Sequence, residues 1–115
     1  MARLSLAQAA RDLRDGGVTS VELLEAALKV ASDTEAQVHA YLTIDRDGAR
    51  ASAEQADRDF AKGVDNGVMQ GIPVALKDNM ATRGLETTAS SQILAGYRPP
   101  YDATVVRRLR DQGAV

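Results

Sequence analysis

With 115 residues, no cysteine, one histidine and a formal net charge of -2, the chain fits one small domain and has no global pull toward nucleic acid or an anionic membrane. Disulfides and thiolate zinc sites are excluded, a single histidine gives no ligand set, and no metal site is expected. No run approaches the roughly 18 apolar residues of a spanning helix, and MARLSLAQAARDL meets arginine and aspartate too soon for a secretory leader, so the expectation is a soluble, cytoplasmic protein without membrane contact.

Ser5 and Gln8 stand at capping-box spacing, and Leu6, Ala9, Ala10 and Leu13 follow with helical period, predicting a helix over about 5–15 that Gly16 and Gly17 stop. Thr19 and Glu22 repeat the box ahead of a second helix over about 20–32, striped with Val21, Leu24, Leu28 and Ala31. From Val38 the period changes to two. Val38, Ala40, Leu42 and Ile44 alternate with His39, Tyr41, Thr43 and Asp45, the pattern of a strand over about 38–45 with His39 on its polar side.

A third helix is expected over about 48–62, with Ala49, Ala53, Ala56 and Phe60 along one side. The loop GVDNGVMQG has glycines at 63, 67 and 71 but neither of the phosphate-binding spacings, so it reads as turn chemistry. Ile72 to Lys77 shows no polar alternation and reads as a strand buried on both faces, with Pro73 near its start where a missing donor is tolerated. A threonine-rich loop, a short segment near Ser91 to Leu94 and the connector YRPPY follow. Asp102 is then placed to cap a helix over about 103–112 carrying Val105, Val106 and Leu109, with Gly113 as its stop. Strand, helix, glycine and an apolar restart at Ala114 make the rhythm of an α/β sheet with crossover helices. Leu, Val, Ile and Phe together make 25 of the 115 residues, so the chain also reads as part of a larger core, a truncated piece whose next strand is beginning.

Lys77, at the end of an apolar strand, has two readings. It snorkels into solvent, or it serves a site, because strand ends in α/β sheets converge on ligands. A lysine acting as a base must be neutral; ordinary lysine titrates near 10.4, and burial has to bring it toward roughly 7–8. Asp78, next in the chain, points to the opposite face if the strand continues.

GIPVALKDN at Gly71 to Asn79, TTASSQIL at Thr87 to Leu94 and PPYDATVVRRLRDQGAV at Pro99 to Val115 resemble the amidase signature family, in particular its glutamine-hydrolysing members that work within tRNA-dependent amidotransferases. The resemblance runs the whole chain in register and is specific from Gly71 onward. It implies the first part of an α/β fold, a mixed β-sheet flanked by helices, and a Ser, cis-Ser, Lys triad whose lysine falls on Lys77. The nucleophile and the cis-serine belong to a later segment absent from this chain, so these residues alone are expected to be inactive. Ser90 and Ser91 do not replace them. Asp78 and Asn79 match the family pattern as residues that hold the lysine loop, or else they cap a turn.

The resemblance further implies glutamine or another small amide as substrate and B and C subunits as partners. It brings tRNA through the complex, with ATP and magnesium used by the complex and no cofactor bound here. A stand-alone amidase acting on another amide and a non-catalytic docking module remain as alternatives. Arg107, Arg108 and Arg110 read as the solvated face of a helix.

Overall fold

The computed structural model describes residues 4–115. Among these residues there are four α-helices, α1 (Leu6–Arg14), α2 (Ser20–Val38), α3 (Arg46–Ala61) and α4 (Thr104–Asp111), with a 3₁₀ turn at Gln92–Leu94. The helix starts follow their capping residues. The Thr19 hydroxyl accepts from the Glu22 amide while the Glu22 carboxylate accepts from the Thr19 amide, a complete capping box. At α1 only half of the expected box forms: Ser5 accepts from the Gln8 amide, but the Gln8 side chain turns along the helix to Asp12 and Arg11.

A hydrophobic cluster joins Ala9 and Leu13 of α1 to Leu23 of α2 and to Ile72, with Val18, Phe60 and Met69 packed around it. Ala53 and Ala56 are buried where α3 lies against α2, small side chains that let the two helices approach closely. Asp57 of α3 accepts from the amides of Ser20 and Val21 at 2.7 and 3.2 Å, capping α2 from the neighbouring helix. The Ser20 hydroxyl donates to the Gly71 carbonyl at 2.7 Å, which fixes the loop that enters Ile72.

The sequence expectation fails between 33 and 45. Helix α2 runs six residues beyond Ser32 and ends at His39, which takes the left-handed conformation (φ 49) and donates its amide to the Glu35 carbonyl. His39 is therefore a helix cap and not a strand residue. Val38 and Leu42 are 62% and 73% exposed, so the alternating pattern buries no face here. The cause is that DTEAQV contains adequate helix formers and extends an existing helix at one hydrogen bond per residue, whereas a strand needs a partner. Helix α3 starts two residues earlier than expected, at Arg46, because Asp45 caps it by accepting from the Gly48 amide.

No β-strand forms among the described residues, which departs from the expected strands at 38–45 and 72–77. One pairing is nevertheless present. Val115 donates to the Ile72 carbonyl at 3.0 Å and accepts from the Val74 amide at 2.7 Å, the bonding pattern of two parallel chains in which Pro73 faces Val115. Pro73 thus needs no donor on this side. The run is also less covered than its composition implies: Ile72 is buried, Val74 half-buried, and Ala75, Leu76 and Lys77 are exposed. The radius of gyration, 14.7 Å, exceeds the roughly 13 Å of a compact chain of this length, in keeping with an open cleft.

Helix α4 differs from expectation at its start. Ala103 is the N-cap, and the Asp102 carboxylate instead accepts from the Arg83 amide (2.7 Å) and the Arg110 guanidinium (2.8 Å), because a charged donor on its own helix competes for it. Val106 is 1% exposed and Leu109 half-buried, while Val105 lies outside. Gly113 has φ 73 and stops the helix as expected. No described helix is long and apolar enough to cross a membrane.

Candidate functional site

The apolar run delivers Lys77 to the lining of a cleft of about 880 Å³ between α2, α3, the 72–77 segment and the inner face of α4. Leu28, Ile44, Val74, Leu76, Val106 and Leu109 give the cleft its apolar walls. Lys77 and Asp78 are the charged residues at the end of the run. Lys77 is exposed in this chain, so residues 4–115 do not themselves enclose it.

Its backbone is held firmly. The Lys77 carbonyl accepts from the Met80 amide at 2.9 Å, making a turn at the end of the run. The Asp78 carbonyl accepts from the Ala89 amide at 3.0 Å. The Asp78 carboxylate accepts from the Thr88 amide at 2.8 Å, from the Thr88 hydroxyl, and from the Ser90 amide at 3.3 Å. The Thr88 hydroxyl and amide, then the Ser90 amide and the charge of Lys77, hold the Asp78 carboxyl below its ordinary range. Two successive residues in this turn, Ala89 and Ser90, have positive φ (48 and 60), an uncommon conformation for side chains other than glycine. Asp78 and Thr88 also line a small cavity of about 190 Å³ with Leu42, Thr43 and Glu86.

Of the residues singled out from sequence, Lys77 and Asp78 lie together at the cleft. Asn79 is exposed and takes no part in the Asp78 network. Ser90 and Ser91 sit in the Thr88 turn, Ser90 exposed and bonded through its amide to Asp78, Ser91 donating its amide to the Thr88 carbonyl at 2.8 Å. Arg107, Arg108 and Arg110 are exposed on α4, Arg110 paired with Asp102. Sequence reasoning missed Thr88. The adjacent threonines of TTASS were its only signal, and no local period links a residue to an acid ten positions away.

Several amides of the glycine loop from 63 to 71 are bonded within the chain. Its Asn66 amide is bonded to the buried Gln70 side chain, which also donates to the Val64 carbonyl at 2.9 Å, and its Gly67 amide is bonded to Asp65 at 3.1 Å. The Gly71 amide donates to the Gly113 carbonyl at 2.9 Å.

The sequence model of the Amidase family matches residues 22–115. The A subunit of the mitochondrial glutamyl-tRNA(Gln) amidotransferase of Xenopus laevis is 47% identical over all 115 residues, which cover 22% of that protein. The A subunit of glutamyl-tRNA(Gln) amidotransferase from Anaeromyxobacter sp. (strain K) is 44% identical over the same length, 23% of that protein. Among solved structures, native peptide amidase from Stenotrophomonas maltophilia superposes with a TM-score of 0.91 at 33% identity, covering 99% of this chain and 24% of that one. The chain thus spans less than a quarter of the length of these relatives.

Proposed function

The chain belongs to the amidase family, and from that premise we propose that it is the lysine-bearing part of the glutamine-hydrolysing component of a tRNA-dependent amidotransferase. The observation that carries the reading is similarity to the A subunit of glutamyl-tRNA(Gln) amidotransferase over the whole chain at 44–47% identity, with no stretch left unmatched. The mixed sheet of the fold belongs to the same proposal; the pairing of Val115 with Ile72 and Val74 supports it as a first parallel register.

In this reading Lys77 is the base of a Ser, cis-Ser, Lys triad, with both serines supplied from outside residues 4–115. The neutral amine takes a proton through the cis-serine from the nucleophilic serine, whose oxygen attacks the amide carbonyl of glutamine. The carbon–nitrogen bond breaks, ammonia leaves with the returned proton, and water hydrolyses the acyl ester to glutamate. The enclosure that such a lysine needs comes from the part of the enzyme that closes the cleft. Ammonia then passes to partner B and C subunits, and tRNA is met through the complex. ATP and magnesium serve that partner chemistry. The cytoplasm is the proposed location, although relatives include a protein named as mitochondrial.

A second reading, a stand-alone amidase for another small amide, is favoured by the close superposition on peptide amidase. Ammonia release by the full-length protein from glutamine, compared with release from propionamide and from a C-terminally amidated peptide, separates them. Preference for glutamine supports the first reading, and preference for either of the others overturns it.

A further inference from the structure

We infer that Asp78 is a positioning residue for the lysine at the cleft, acting by holding the Thr88–Ser90 turn in a left-handed conformation that braces the Lys77–Asp78 backbone. The inference rests on the reading of Lys77 as the base, and adds to the resemblance the means by which Asp78 holds the lysine loop, the Thr88 and Ser90 donors and the left-handed turn that carries them.

The geometry has three parts. First, the side chain that follows Lys77 is turned into a ring of donors, the Thr88 amide at 2.8 Å, the Thr88 hydroxyl and the Ser90 amide at 3.3 Å. Second, the turn supplying those donors carries two successive non-glycine residues at positive φ, Ala89 and Ser90. Such a conformation is unfavourable alone and persists where surrounding bonds over-determine it. Third, the bracing is returned to the lysine segment, because the Ala89 amide donates to the Asp78 carbonyl at 3.0 Å while the Met80 amide donates to the Lys77 carbonyl at 2.9 Å. Both carbonyls after the lysine Cα are therefore fixed. A lysine side chain has four rotatable bonds, so a fixed Cα is what limits where its amine can reach. A misplacement of about 1 Å costs roughly a hundredfold in rate when a reacting group must be aligned.

A competing role is electrostatic. The carboxylate of Asp78 and the charge of Lys77 attract one another. The two roles respond differently to substitution: Asp78→Asn removes the charge and one of the two acceptor oxygens that brace the turn, whereas Thr88→Val leaves the charge and removes the hydroxyl donor.

The test is steady-state ammonia release from glutamine by the full-length enzyme carrying Asp78→Asn, Thr88→Val, Thr88→Ser, and Asp78→Asn combined with Ala89→Gly and Ser90→Gly, with Lys77→Ala in parallel. Thermal unfolding of each variant identifies those that do not fold. Positioning predicts that Asp78→Asn and Thr88→Val each lower kcat about tenfold to a hundredfold with KM within about twofold. Thr88→Ser restores kcat, and the two glycines recover at least fivefold of the Asp78→Asn loss, because glycine adopts the turn without strain. Thr88→Val with unchanged kcat overturns the inference in favour of charge, and so does a failure of the glycines to rescue a folded Asp78→Asn enzyme. An active Lys77→Ala enzyme overturns the underlying reading instead.

Discussion

Asp57→Ala removes a cap that one helix provides to another. In the native chain its carboxylate accepts from Ser20 and Val21, the first two amides of α2, at 2.7 and 3.2 Å. Ser20 is 0% exposed, so water cannot readily replace the lost acceptor at its amide. A hydrogen bond to a charged group contributes about 1.5–3 kcal/mol, and an N-terminal cap about 1 kcal/mol; the two descriptions overlap, which puts the loss at about 2 kcal/mol. With a urea slope of about 1.5 kcal/mol/M, the midpoint should fall by roughly 1.3 M. Asp57→Asn keeps one acceptor and should lose about half as much. Urea unfolding followed by circular dichroism gives the midpoints, and amide exchange at Ser20 and Val21 locates the effect. An unchanged midpoint for Asp57→Ala, or equal losses for alanine and asparagine, would refute the reasoning.

Val106→Ala deletes two methyl groups from a residue that is 1% exposed; transfer and cavity terms together give a loss of about 2–3 kcal/mol by urea unfolding, against under about 0.5 kcal/mol for Val105→Ala on the outer side. Gly71→Ala places a Cβ 3.1 Å from Ser20 Cβ and 3.3 Å from the Phe60 ring at φ +74, so a loss of about 2 kcal/mol is expected in the same assay. The Arg14 guanidinium holds the Asp65 carboxyl below its ordinary value of 3.8. Below that value the unfolded chain binds more protons than the folded one. The contribution is therefore present above it and lost as pH falls, and Arg14→Gln should flatten the acid limb of a stability–pH curve without changing its shape at neutral pH.

The parts legible in sequence were those set by nearest neighbours. Thr19 with Glu22 announced the start of α2, and Gly113 announced the end of α4. What sequence did not reveal depended on distant partners. The alternation from Val38 to Ile44 is a strand pattern only if another chain lies beside it; among the described residues Tyr41 gives its amide to the Glu35 side chain instead, and helix α2 takes the preceding residues. Asp102 looked like a cap by position, yet Arg83 and Arg110 claim its oxygens. The Asp78–Thr88 clamp joins residues ten apart through a turn that no helix or strand period describes.

Lys77 carries the central claim, and the most direct test is glutamine hydrolysis by the full-length protein with Lys77→Ala, measured as ammonia released under saturating substrate. A base in a Ser, cis-Ser, Lys triad predicts a fall in kcat of about a thousandfold or more in a protein that thermal unfolding shows to be folded. Retention of most of the activity by a folded Lys77→Ala protein would contradict the account.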